Sequence, residues 1–145
     1  MPSVNDLMTK DVITIDLKKT VYDAAVLMTE KKIGSLIVMD ENVPIGIVTE
    51  RDIVRRFVYQ QLLSRETKVS EIMSKPIITI DPDSSLKDAA RLMIKNQIRR
   101  LAVVKENKLV GIIVASDFAR QASKKTVTDE LLEAMARYPM YPPTY

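Results

Sequence analysis

Apolar residues along this chain recur with two different periods, and the same alternation of periods occurs twice. Between Thr20 and Lys31, Val21, Ala24, Ala25 and Met28 fall at the i, i+3, i+4, i+7 spacing of one helix face. Between Ser85 and Asn96, Leu86, Ala89, Ala90 and Met93 do the same. Thr20 and Ser85 stand where an N-cap is needed, each with an Asp three residues on, a shorter-armed form of the capping box. Runs rich in β-branched residues flank both helices. Val12–Ile15 and Ile77–Ile80 precede them as extended segments. Ser35–Met39 with Ile45–Thr49, and Arg100–Val104 with Leu109–Val114, follow as strand pairs. The polar stretches between paired strands, DENVP and KENKL, suit chain reversal. A short helical turn opens each set, Val4–Met8 and Val69–Met73, and a second helix closes it, from near Glu50 and near Ser116.

The two sets align without a gap, from Val4 against Val69 to Arg55 against Arg120. A repeat of this length marks units that pair or stack around a common core. The expected fold class is α/β (α+β), two pseudo-symmetric β-α-β-β-α repeats packed through their sheets. The repeats are expected at 1–60 and 69–122, joined by a polar connector at 61–68. A C-terminal helix, about Thr128–Arg137, and a Pro/Tyr tail are expected within 123–145, where the prolines of YPMYPPTY forbid further helix. Met8, Met28, Met73 and Met93 occupy repeat-related, mostly apolar positions and read as core.

Composition narrows the chemistry. The chain has 145 residues with 46% hydrophobic content, enough for a core. Its apolar runs are broken by charge too often to span a membrane, and MPSVNDLMTKDV lacks the pattern of a signal peptide, so a cytoplasmic location is expected. Cys and His are both absent. That removes disulfides, thiolate catalysis, zinc ribbons and imidazole acid–base chemistry, and no catalytic residue or metal ligand is expected. The three glycines, Gly34, Gly46 and Gly111, cannot spell a dinucleotide-binding or P-loop motif. A net charge of +3 tolerates anionic ligands but falls short of a nucleic-acid arm.

The sharpest local feature is GIVTERD, Gly46–Asp52, with its repeat partner GIIVASD, Gly111–Asp117. An apolar strand runs straight into a helix start, with Thr49 at the junction and Asp52 three residues later. One reading is a capping box with an acid in the first helical turn. The other places a hydroxyl and a carboxylate where a ribose diol could bind, since a carboxylate accepts hydrogen bonds from vicinal hydroxyls. The two can coexist.

A duplicated β-α-β-β-α unit closed by GIVTERDI and by IRRLAVV…LVGIIVASDF resembles a tandem CBS-domain pair, or Bateman module, over about residues 1–122. The resemblance implies adenosine ligands in two clefts between the repeats. It implies that Thr49 and Asp52 hold a ribose, and that Asp117 with Ser116 does so in the second repeat, where Val114 replaces the hydroxyl. It implies a base pocket from the early strand of the opposite repeat and the start of the middle strand: Ile13 and Ile78, with Met8 and Met73 nearby, and Gly34 and Ile98. Arg99 and Arg100 match a basic position that meets phosphates, with Arg51 contributing charge at the first cleft. The repeat-one counterparts of the arginine pair, Gly34 and Ser35, bring no charge.

The expected function is a non-enzymatic sensor of AMP, ADP or ATP, needing no cofactor and acting through a separate effector protein. S-adenosylmethionine is the rival ligand, although Arg99 and Arg100 favour a phosphate over a sulfonium. A nucleic-acid binder, through Arg51–Arg56 and Lys124–Lys125, is a further alternative, with aromatics for base stacking only 5% of residues. The resemblance also implies a disc-like homodimer formed through helices around Tyr22–Met28 and Ile53–Tyr59 and their repeat counterparts.

Overall fold

The computed structural model describes residues 2–123 and 145. The expected tail helix at Thr128–Arg137 lies outside the described residues. The first repeat runs α1 (Val4–Leu7), β1 (Thr14–Asp16), α2 (Val21–Lys31), β2 (Ser35–Asp40), β3 (Val43–Thr49) and α3 (Glu50–Asp52), which continues as a π-helical segment over Ile53–Val58. The second runs α4 (Val69–Ile72), β4 (Thr79–Ile80), α5 (Leu86–Asn96), β5 (Arg100–Lys105), β6 (Lys108–Val114) and α6 (Ala115–Ser123). Each repeat builds its own three-stranded sheet, ordered β1-β2-β3 and β4-β5-β6. The first pair of each sheet is parallel and the second antiparallel. A parallel pair needs a crossover connection, which α2 and α5 supply. This is the mixed α+β class the periodicity predicts.

Local chemistry sets the element ends. Thr20 Oγ1 accepts from the Asp23 amide at 3.1 Å, while Asp23 Oδ2 accepts from the Thr20 amide at 3.0 Å. Ser85 Oγ accepts from the Asp88 amide at 3.0 Å. Asp16 and Asp81 each accept the amide two residues on at 2.8 Å, an Asx turn that leads into the helix. The hairpins are tighter than DENVP and KENKL suggest. Strands extend to Asp40 and Val43, and to Lys105 and Lys108, leaving two residues at each turn. Glu41, Glu106 and Asn107 adopt φ of 55°, 51° and 66°, the positive values that primed two-residue turns require.

Burial follows the strands on both sides. Leu36, Ile37 and Val38 are all buried in sequence, as are Leu101, Ala102 and Val103. Neighbouring strand residues face opposite ways, so both faces of β2 and β5 are covered. The core on α2 joins Val21, Ala24 and Met28 to Leu36, Val38, Val48, Val69, Ile72 and Met73.

Compact units do not follow the repeat boundaries. One unit is Val12–Ile77; the other is Met1–Asp11 together with Ile78–Tyr145. The opening turn of each repeat therefore belongs to the unit built on the other repeat's sheet. In the first unit Ile47 and Ser74 exchange main-chain hydrogen bonds of 3.0 and 2.8 Å. In the second, Thr9 and Ile112 exchange a pair of 2.9 Å. Gly46 and Gly111 admit these approaches. A Cβ on Gly46 would meet Met73 Sδ at 2.7 Å and the Ser74 carbonyl at 2.9 Å; on Gly111 it would meet Met8 Sδ at 2.6 Å and the Thr9 carbonyl at 2.9 Å.

Candidate functional site

The junction of β3 and α3 carries both readings of GIVTERD at once. Thr49 and Asp52 are each 3% exposed. The capping box is complete: Asp52 Oδ2 accepts from the Thr49 amide at 2.9 Å, and Thr49 Oγ1 accepts from the Asp52 amide at 3.2 Å. Thr49 Oγ1 also lies 3.2 Å from Asp52 Oδ2. The other carboxylate oxygen, Oδ1, accepts from Ser74 Oγ at 3.0 Å and lies 3.8 Å from Arg56 Nε. Arg56 in turn donates through Nη1 to the carbonyls of Met73 at 2.9 Å and Ile72 at 3.3 Å. Asp52 is thus the hub of a buried polar cluster that ties the π-helical segment to the end of α4. Ser74 and Arg56 are functional candidates that sequence reasoning missed. The signal for Arg56 is its i, i+4 spacing from Asp52. Ser74 is a hydroxyl at the repeat position of Thr9, but nothing in the sequence places it beside Asp52.

The second junction keeps the bond from the carboxylate to the strand-end amide but changes the side-chain partners. Asp117 is buried, and its Oδ2 accepts from the Val114 amide at 2.9 Å. Val114 offers no hydroxyl, and Asp117 Oδ1 pairs instead with Arg120, one helical turn on. Ser116 is exposed.

The remaining expected residues sort by unit. Ile13, Gly34, Thr49, Arg51, Asp52 and Met73 fall in the Val12–Ile77 unit. Met8, Ile78, Ile98, Arg99, Arg100, Ser116 and Asp117 fall in the other. Each early strand pairs with the middle strand of its own repeat, not the opposite one: the Ile13 carbonyl accepts from the Ile37 amide at 3.4 Å, and that of Ile78 from the Ala102 amide at 3.2 Å. What crosses between repeats is the opening turn, which brings Met73 to Gly46 and Met8 to Gly111. Ile98 and Met73 are core-buried. Charge differs between the two sites. A Cβ on Gly34 would lie 3.4 Å from the Glu50 carboxylate, so the place aligned with Arg99 faces an acid in the first unit. Among the described residues, no cluster of three or more His, Cys, Asp or Glu could hold a metal, and no helix is long and apolar enough to cross a membrane.

Comparison with known proteins matches this arrangement to a family. The CBS domain model matches residues 4–59 and again 69–124. The CBS domain-containing protein YhcV of Bacillus subtilis is 41% identical over 119 residues, covering 82% of this chain and 84% of its own length. A protein with CBS domains from Burkholderia ambifaria superposes with a TM-score of 0.76 at 33% identity, covering 86% of this chain and 94% of that one. The hexameric CBS-CP12 protein of bloom-forming cyanobacteria superposes with a TM-score of 0.77 at 35% identity, over 92% of this chain and 82% of that one. Other relatives are longer: the chain spans 60% of an uncharacterized protein from Methanopyrus kandleri with which it shares 40% identity over 117 residues, or 79% of this chain.

Proposed function

Since the chain belongs to the CBS-domain family, with one match on each repeat, we propose that it is a regulatory module that binds an adenine nucleotide at its strand–helix junctions. Occupancy would be passed to a separate effector protein. The observation that carries this reading is the buried Asp52 carboxylate, held by hydroxyls from Thr49 and Ser74 at 3.2 and 3.0 Å. A carboxylate offers about four acceptor sites. A ribose diol entering here would replace side-chain hydroxyls with sugar hydroxyls on the same oxygens. Like is exchanged for like, so the desolvation cost of opening the cluster is largely offset.

The second unit supplies the phosphate contacts in this reading. Arg100 opens β5 and Arg99 directly precedes it, in the same unit as Asp117. Guanidinium groups hold phosphates bidentately. The first unit has Glu50 over Gly34 at the corresponding place, which disfavours a phosphate there. Self-association, as in the hexameric relative, fits the exposure of the large apolar residues Val54, Val58, Tyr59 and Leu63. A monomeric mass by analytical ultracentrifugation would remove that part.

A thermal-shift panel of AMP, ADP, ATP, adenosine and S-adenosylmethionine tests the ligand class, because a ligand that binds only the folded state raises stability with its concentration over Kd. Adenine nucleotides are expected to raise the melting temperature most. No shift with any of them overturns the reading. Replacing Arg99 and Arg100 together by Ala is expected to weaken AMP at least about tenfold, as loss of a charge-assisted hydrogen bond implies, while adenosine binding stays nearly unchanged. Equal loss of both would make the arginines structural.

A further inference from the structure

Tyr145 is 4% exposed, and it reaches a place the repeats do not explain. Its hydroxyl oxygen accepts from the Ile78 amide at 2.9 Å. Its main-chain oxygen accepts from the Arg99 amide at 2.6 Å. Ile78 and Arg99 each stand one residue before a strand, β4 and β5, which pair in parallel. The two amides therefore open on the same end of the sheet, just beyond its ladder. An aromatic ring lies between them with one acceptor at either end.

We infer that Tyr145 is a built-in occupant of the recess beside Ile78 and Arg99, and that an adenine nucleotide enters there only by displacing it. The inference rests on the nucleotide reading above. Ile78 and Arg99 are half-buried, and amides partly shielded from water favour an occupant that brings an acceptor. The Tyr145 phenol brings a flat ring and an oxygen acceptor. Adenine brings a flat ring and nitrogen acceptors, so the two answer the same demand and exclude each other. Arg99, which the nucleotide reading assigns to phosphate, is one of the two residues whose amides Tyr145 takes. Burial pushes the Tyr145 hydroxyl above its ordinary pKa, against a smaller opposite pull from the Ile78 hydrogen bond, so the docked ring is the neutral phenol.

A group carried on the same chain competes at an effective concentration that reaches about millimolar for short tethers. The apparent affinity of the recess for a free ligand falls by the fraction of molecules in which it is open. The junction in this unit lacks the Thr49 equivalent, having Val114, so its grip on a ribose is the weaker of the two and the competition matters more.

The test compares wild type with Tyr145→Ala and Tyr145→Phe in the full chain, following backbone amide signals of Ile78 and Arg99 during AMP titration. Amides of Thr49 and Asp52 report the other unit. Without ligand, both variants are expected to shift the Ile78 signal, and Tyr145→Ala also that of Arg99. With AMP, Tyr145→Ala is expected to tighten binding at Ile78 and Arg99 by about fivefold or more, with Tyr145→Phe between it and wild type. The Thr49 and Asp52 titration should not change. Unaltered Ile78 and Arg99 signals in the ligand-free Ala variant would show that Tyr145 is not docked and overturn the inference. Equal or weaker AMP affinity at Ile78 in that variant, with normal binding at Asp52, would also overturn it and leave the nucleotide reading standing. Absence of any AMP response in either unit of all three proteins would overturn the nucleotide reading, and the competition with it.

Discussion

Asp52 holds the Thr49 amide, two hydroxyls and the edge of a guanidinium with one buried carboxylate. Its removal therefore reaches well beyond a helix end. Asp52→Ala leaves the Thr49 amide and the Ser74 hydroxyl without an acceptor in a buried place, and is expected to lower unfolding free energy by about 2–4 kcal/mol. A charge that only complemented the helix end would contribute about 0.3–1 kcal/mol. Urea unfolding separates the two, and a loss inside the smaller range would dismiss the hub. The Thr49–Asp52 half of this cluster was legible, because hydroxyl and acid three residues apart is a local pattern. Ser74 was not, since it lies 22 residues from Asp52 and only the tertiary fold joins them. Tyr145 carried no signal at all, for nothing in a proline-rich tail marks a side chain that docks on two strand-end amides.

At the level of elements, helices and strands were legible because their periods are imposed by burial on one or both faces. Val21, Ala24 and Met28 are buried on the stripe the spacing predicts, while Ala25, expected on the same face, is exposed. Hairpin ends were not, because Glu41, Glu106 and Asn107 take positive φ without the glycine that usually announces it. The glycines serve elsewhere. Gly46 lets the end of α4 lie against β3, where Ile47 and Ser74 bond to each other. Gly46→Ala puts a methyl into a main-chain oxygen as well as into Met73. A flexible thioether can move aside, but the Ser74 carbonyl is fixed by its own bond. The expected cost is about 1–3 kcal/mol, the range for overpacking a filled site, and shortening Met73 to Ala should not recover it. Faster hydrogen exchange at the Ser74 amide would locate the damage. A variant that unfolds like wild type would mean the approach is looser than described.

At the scale of the whole chain, the repeat was legible but its bookkeeping was not. The alignment assigns 4–55 and 69–120 to separate copies, yet each compact unit borrows its opening turn from the other copy. Sequence similarity cannot register such an exchange, because both turns read alike and either could serve either sheet. One consequence is testable by truncation. Val4 is fully buried, and its amide and that of Asn5 donate to the carbonyls of Ser84 and Pro82 at 2.9 Å. Removing residues 1–11 is expected to speed amide exchange across β5 and β6 while sparing β2 and β3. Faster exchange on β2 and β3 instead would contradict the assignment of the opening turn.

The same exchange orders events in time during synthesis. A ribosome delivers every residue of Val12–Ile77 before it delivers Ile78, so that unit is complete while the other still lacks its sheet. Met1–Asp11 is made before either sheet, yet the partner of Thr9, Ile112, follows roughly a hundred residues later. That opening segment is thus complete long before the sheet it joins, and it finds its place only once β6 has been made.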